Sequence, residues 1–351
     1  MFAAATPVGL TQALGITRSM SADRYSKLAP LQLQQRMTIT HAALDFFSPM
    51  SYERVSTAIE RPPTPGRTEP LEGGDFLKYL EKTGILPDSR KYASRIRDLL
   101  DKLEAAGLLT FMGHGRDVQV GKRYYFMKEL TSLERKGLLW TAPALGPEFL
   151  HSVYSHITVQ ITGLNTIGDV HAGTALAIAP NWLLTCAHVI TDMRINDEQS
   201  FLGRLHRVVQ TLTHESVDVG LIQVEPDLSV IDSLAFREPV LSEALFTFGF
   251  PHVPLAREPA LVMQRGEVTS TNVTLLDGRD VFLYSAIARP GNSGGPILSE
   301  SGHVLGIVTE QLERQGMAHA LPFHAGVATS NIASAIADIQ PSLKLPVENY
   351  E

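Results

Sequence analysis

Apolar and polar positions alternate in two different rhythms along this chain, and the change falls near residue 150. Before it, the apolar residues recur at helical spacing. PLQLQQRMTITHAALDFF, Pro30–Phe47, predicts an amphipathic helix. DFLKYLEKTG predicts a short helix stopped by Gly84. SRKYASRIRDLLDKLEAAG predicts a stronger one, with Ile96, Leu99, Leu100 and Leu103 on one face, Asp88 or Ser89 as its cap and Gly107 at its end. LLTFMGHGRDVQVGKRYYFM then alternates and turns as a hairpin does. RPPTPGRTEPLEGG, from Arg61 to Gly74, is a loop by its prolines and glycines. After residue 150 the runs are short, β-branched and punctuated by turn residues: ITVQIT, AGTALAIA, WLLTCAHVI, HRVVQTLT, DVGLIQV, LFTFGF, LVMQRGEVTS, VFLYSAI, GPILS, HVLGIVTE and AGVATS. That rhythm predicts an all-β barrel or sandwich closed by a helix over Asn331–Ile339.

The predicted fold is α+β and multidomain. Residues 1–47 form an extension with a helix, 48–150 a mostly helical unit with its linker, and 151–345 the all-β unit. Helix, turn, helix and hairpin over about 48–130 resemble a winged-helix domain, a likeness of pattern with no diagnostic motif. Arg90, Lys91, Arg95 and Arg97 would face phosphates in such a fold. A solvated helix face explains them better, because Asp98, Asp101 and Glu104 dilute the charge.

Composition sharpens the division. The 351 residues carry a net charge of −7, unevenly spread. Residues 1–150 hold 20 Lys and Arg against 16 Asp and Glu, and residues 151–351 hold 10 against 21. Neither half has the basic excess of a nucleic-acid binder. A regulatory protein or ligand at 48–130 is the favoured partner there, with nucleic acid the less favoured one. The single cysteine, Cys186, rules out an intrachain disulfide. No secretory leader is evident at the start, and no apolar run is long enough to span a bilayer. The expected location is cytoplasmic, with no membrane partner.

One segment fits neither packing rhythm. ARPGNSGGPIL places Ser293 among Gly291, Asn292, Gly294 and Gly295, between Pro290 and Pro296. Taken alone it is an ordinary turn. It gains meaning from two earlier positions. WLLTCAHVI carries His188, which alone reads as a core histidine, and SVDVGLIQV carries Asp218, which alone reads as a strand-edge cap. The order His, Asp, Ser within an all-β unit, with TCAHV, DVGLIQV, GNSGGP and HVLGIVT in register, resembles the trypsin-like (chymotrypsin-fold) serine proteases over about residues 152–340.

That resemblance implies a double β-barrel and a serine endopeptidase acting on protein or peptide substrates. It implies His188, Asp218 and Ser293 as the triad, and the backbone N–H groups of Gly291 and Ser293 as the oxyanion hole. By the same match Ile287 lies at the base of the substrate pocket, Thr309, Glu310 and Gln311 along one wall, and Gly326 opposite. No acidic residue stands at the base, so cleavage after Arg or Lys is not expected. A small or medium apolar residue is expected instead, and His324 is read as a strand-end histidine. Asn292 replaces the aspartate of the digestive members. That matches the bacterial Deg/Htr type more closely, although the 58 residues after Ser293 leave no C-terminal PDZ domain. Such fusions occur in bacterial stress and defence systems. Cys186 is expected to point away from His188 along a strand, and neither a metal nor a cofactor is expected. The competing class is a winged-helix nucleic-acid- or protein-binding regulator built on an inactive protease-like scaffold.

Overall fold

The computed structural model describes residues 30–63, 66–225, 227–312 and 323–348. The first unit begins with helices α1 (Leu33–Phe46) and α2 (Tyr52–Ala58). Strand β1 (Leu71–Glu72) runs into α3 (Gly73–Lys82), and a 3-10 turn leads into α4 (Ala93–Ala105). β2 (Thr110–His114) and β3 (Lys122–Tyr125) form the expected hairpin, and β1 pairs with β3, giving the order β1–β3–β2. Ile39, Phe46 and Phe47 from α1 and its end share a core with Phe76, Leu80, Ile96, Leu100 and Tyr124. Helix α1 is therefore built into this unit, not set apart from it as an extension. Its position is fixed by apolar burial, the largest favourable term in folding. The expected cap of α4 takes another form. Asp88 sits in the left-handed region at φ +56° and makes no cap, while the Ser89 hydroxyl donates to the Leu77 carbonyl at 2.8 Å. The serine thus ties α3 to the turn before α4.

Two short helices, α5 (Ala142–Leu145) and α6 (Pro147–Tyr154), join the units. Trp140 and Ala144 pack into the helical core, while Leu139, Leu145, Phe149 and Tyr154 pack into the β core. The segment expected to be a linker is thus a shared seam. Arg36 of α1 is ion-paired with Glu148 and donates to the Leu145 carbonyl at 2.6 Å. The Tyr154 hydroxyl reaches the Gly302 carbonyl at 2.6 Å.

The second unit follows the β rhythm closely. Its first sheet contains β4 (Thr158–Leu164), β5 (Val170–Ala179), β6 (Trp182–Thr185), β7 (Arg194–Ile195), β8 (Glu198–Phe201), β9 (Arg204–Thr213) and β10 (Gly220–Val224), in the order β7–β4–β5–β6–β10–β9–β8. Between β6 and β7 lies α7 (Ala187–Thr191). Gln199 in β8 is buried, and its amide bonds the N–H and the carbonyl of Thr162 in β4 at 2.9 and 3.0 Å. A side-chain amide carries the same donor and acceptor as a peptide, so it draws β8 and β4 together where no ladder joins them.

The remaining strands are β11 (Ala244–Gly249), β12 (Val262–Thr274), β13 (Asp280–Tyr284), β14 (Pro296–Ser299), β15 (Val304–Leu312) and β16 (Phe323–Ala328). They close into an antiparallel barrel in the order β11–β12–β13–β16–β15–β14. Leu245, Phe282, Tyr284, Ile297, Leu305 and Val308 fill it. Helix α8 (Thr329–Ile339) follows β16 and buries Ile332, Ala335 and Ile336. This is the expected α+β organisation: a helical region followed by a double-barrel β domain. Among the described residues no helix is long and apolar enough to cross a membrane.

Candidate active site

His188 and Asp218 both come from the first sheet. Strand β6 ends at Thr185, and Cys186 leads into α7, which carries His188 in its first turn. Asp218 lies just before β10, which pairs with β6, so the two meet at the same end of neighbouring strands. The Asp218 carboxylate takes the imidazole through Oδ2 to Nδ1 at 2.8 Å and the His188 backbone N–H through Oδ1 at 3.0 Å. The Thr309 hydroxyl, from β15, donates to the same Oδ2. Burial by itself pushes the Asp218 carboxyl up. The hydrogen bonds and charge of His188, with the Thr309 hydroxyl, outweigh burial and leave it well below the usual carboxylate range. Asp218 therefore stays ionised and fixes both the orientation and the tautomer of the ring.

Ser293 comes from the closed barrel, in the loop between β13 and β14, and backbone geometry sets its place. The Asn292 N–H returns to the Arg289 carbonyl at 2.9 Å, and Gly291 has φ +99°. Proline at the second position and a positive φ at the third make a type II turn. The Pro290 carbonyl faces the His252 N–H at 3.4 Å. The Gly291 N–H across the same peptide therefore points the opposite way, toward the cleft that Gly291 lines. Among the described residues neither the Gly291 nor the Ser293 N–H has a protein acceptor. A donor without a protein acceptor can receive an oxyanion.

The glycines are required here for space as well as conformation. A Cβ on Gly291 would stand 2.5 Å from the Phe250 carbonyl, and one on Gly294, at φ +82°, 2.1 Å from the Thr174 carbonyl. Thr174 in β5 buttresses the loop from the first sheet. Its hydroxyl donates to the Gly291 carbonyl at 2.7 Å, and its N–H bonds the Ser293 carbonyl at 2.9 Å.

Ser293, His188, Thr309 and Gly291 line one cleft of about 250 Å³, with Ala288, Pro290 and Val308. The Ser293 hydroxyl donates to the Thr309 carbonyl at 3.0 Å. Chemistry at Ser293 requires that proton to be handed to an imidazole instead of the Thr309 carbonyl. An acyl-transfer reaction needs a nucleophile, a base held by a carboxylate, and N–H donors for the oxyanion, and all three kinds of group meet in this cleft.

The predicted pocket residues are scattered. Thr309 lines the cleft, but its hydroxyl serves Asp218. Ile287 is half exposed, and Ala288 and Val308 line the cleft instead. Gly326 lies in β16, where an added Cβ would stand 2.6 Å from Ile297 Cδ1 and 2.7 Å from the Phe282 ring. The side chains of Glu310 and Gln311 lie outside the described residues. His324 is buried, stacks on Tyr284 and accepts the Ala288 N–H at 3.4 Å, and burial lowers its pKa. Cys186 does not point away from the site. The chain leaves the strand at Thr185, and the fully buried thiol bonds the Val308 carbonyl at 3.1 Å, near His188 and Asp218. Burial holds that thiol protonated.

With this geometry in view, residues 173–307 match the family model of the trypsin-like peptidase domain. That stretch, about 38% of the chain, is therefore similar to a trypsin-like peptidase domain. It is 35% identical over 102 residues to the uncharacterized protein y4bJ of Sinorhizobium fredii (strain NBRC 101917 / NGR234), covering 27% of this chain and 15% of that one. It is 29% identical over 167 residues to a probable periplasmic serine endoprotease DegP-like of Pseudomonas putida (strain GB-1), covering 43% and 32%. The chain thus spans a third or less of the length of these curated relatives. Among solved structures, the active form of the Rv3671c protease from M. tuberculosis superposes with a TM-score of 0.46 at 20% identity, over 56% of this chain and 86% of that one.

Proposed function

We propose that this chain is a serine endopeptidase that hydrolyses protein substrates through an acyl-enzyme. The observation that carries the reading is the meeting, in one cleft, of Ser293, the His188–Asp218 pair and two N–H groups without protein acceptors. Ser293 Oγ attacks the peptide carbonyl while His188 takes its proton. The carbonyl oxygen, now negative, settles on the Gly291 and Ser293 N–H groups. The imidazolium, held by Asp218, gives the proton to the leaving amine, and the bond to that nitrogen breaks. Water repeats the sequence on the ester and frees Ser293. An unfolded protein substrate incubated with the full chain and with Ser293→Ala tests this. Fragmentation by the first and none by the second is expected, and equal fragmentation would reject it.

The helical unit is the proposed regulatory element, taking a protein partner or ligand over residues 48–130. Its order of helix, strand, two helices and hairpin supports a winged-helix-like reading. The shared seam gives it mechanical access to the barrels. Arg36→Ala should alter the peptidase rate by loosening the contact with Leu145 and Glu148, and an unchanged rate would count against regulation by this route. A cytoplasmic setting belongs to the same proposal, supported by the single, buried cysteine. A role in bacterial stress or defence would follow if a partner of the helical unit switches the rate.

A further inference from the structure

The turn around Pro290 and Gly291 can close in two ways. The bond from the Asn292 N–H to the Arg289 carbonyl is common to type I and type II turns. The two differ by about half a rotation of the middle peptide. Here the type II form, with Gly291 at φ +99°, turns the Gly291 N–H into the cleft. Proline at the second position suits both forms. Glycine at the third accepts either sign of φ, so it permits the type II form without selecting it. The selection therefore comes from groups around the turn.

The His252 N–H is one such group. It meets the Pro290 carbonyl, which points its way in the type II form. At 3.4 Å that bond is long, and it forms only while Phe250, Pro251 and His252 are held against the turn. The two segments do pack closely. A Cβ on Gly291 would stand 2.5 Å from the Phe250 carbonyl and 3.1 Å from Pro251 Cα. One oxygen atom joins them directly. The Thr174 hydroxyl accepts the Phe250 N–H at 3.0 Å and donates to the Gly291 carbonyl at 2.7 Å. A hydroxyl has one proton to give and lone pairs to receive with, so it can bridge a donor on one segment to an acceptor on the other.

The bridge is itself anchored. Thr174 is fully buried in β5. Its N–H bonds the Ser293 carbonyl at 2.9 Å, and its carbonyl accepts the Thr185 hydroxyl at 2.7 Å. Every polar atom of the residue is thus engaged. Thr174 lies outside the lining of the cleft, so it acts only through what it holds.

We propose that the Thr174 hydroxyl is a positioning group for the oxyanion donor: by clamping Phe250, Pro251 and His252 against the turn, it keeps the Gly291 N–H facing the cleft. This rests on the endopeptidase reading and gives that reaction a residue beyond the three side chains and two N–H groups already assigned.

The test uses the full chain with an unfolded protein substrate, initial rates giving kcat and KM, and with a fluorophosphonate, whose phosphoryl oxygen takes the place of the oxyanion. Thr174→Val keeps the shape and removes the hydroxyl. kcat should fall about 10- to 100-fold with KM little changed, the upper end approaching the loss of one whole oxyanion donor. Thr174→Ser restores the hydroxyl and should recover most of the loss. In Gly291→Ala the donor is already lost, so adding Thr174→Val should slow labelling little further, whereas a general role in stability would add in full. His252→Pro deletes the N–H that meets the Pro290 carbonyl and should lower kcat in the same way, which keeps the test open if Thr174→Val does not fold. An unchanged kcat in either variant, or a Thr174→Val loss that adds in full to that of Gly291→Ala, would overturn the proposal while leaving the endopeptidase reading intact. Absence of any Ser293-dependent cleavage or labelling by the unaltered chain would overturn both.

Discussion

The two halves of the site are held by different means. His188 and Asp218, from the first sheet, are fixed by side-chain hydrogen bonds: three donors, one of them Thr309, converge on one buried carboxylate. Ser293, from the closed barrel, is fixed by backbone: a type II turn, two glycines at positive φ, and carbonyls and N–H groups tied to Thr174 and Val308. The first half should respond to changes of charge and hydrogen bonding, and the second to any added Cβ. Thr174 and Thr309 join the halves, so neither is independent of the other.

Asp218→Asn attacks the first half most directly. It keeps the shape and loses the charge that orients and stabilises the imidazole, and kcat should fall about 10⁴-fold. Gly291→Ala attacks the second. It forces an L residue to φ +99° and a Cβ against the Phe250 carbonyl, so the turn must relax and the N–H is lost to the oxyanion. A loss of about 10²- to 10³-fold in kcat, with little change in KM, is expected. If Gly291→Ala leaves kcat intact, backbone geometry is not what holds the second half.

Asn292→Asp sharpens the contrast through stability. Asn292 is buried, and its Oδ1 has no hydrogen-bond partner among the described residues. A carboxylate there would be buried without a cation, at a cost of about 3 kcal/mol near neutral pH. Its folded-state pKa would lie above its unfolded value, so the loss should shrink as pH falls. Urea unfolding at two pH values measures it. Thr309→Val removes one of the three donors to Asp218 and should lower kcat/KM about tenfold, with a smaller change in unfolding midpoint.

The smallest effect is a slope of stability with pH. Burial lowers the pKa of His324, and burial with the nearby Arg237 lowers that of His303, both from 6.5. A histidine with a depressed folded-state pKa stabilises fully above its unfolded value and loses that contribution as pH falls below it. Asp218, also depressed, adds its loss only at lower pH, below the ordinary carboxylate range. Unfolding midpoints should therefore be flat from about pH 6.5 to about pH 8 and decline on acidification.

The strands of the double barrel and most helices of the first unit were legible because their apolar periodicity is also their burial pattern. His188, Asp218 and Ser293 were legible as candidates because GNSGGP, TCAHV and DVGLIQV are short, and the structure brings the three to one cleft region. Other features leave no such trace. Strands β1, β7 and β8 are too short to show a period. Thr174 sits in AGTALAIA as any strand threonine would, and its tie to Gly291 spans 117 positions. The exposure of Ile287 and the tight packing around Gly326 depend on how the strands close, which no local pattern records. Helix α1 reads correctly as a helix, but only the shared core reveals what it packs against.

The proposed peptidase depends on Ser293 being a nucleophile activated by His188 and Asp218. Treating the full chain with a fluorophosphonate, and locating the adduct by mass spectrometry, tests it most directly. A single adduct on Ser293 is expected, absent in Ser293→Ala and strongly slowed in Asp218→Asn. Labelling at the same rate in Asp218→Asn, or an adduct on another residue, would contradict it.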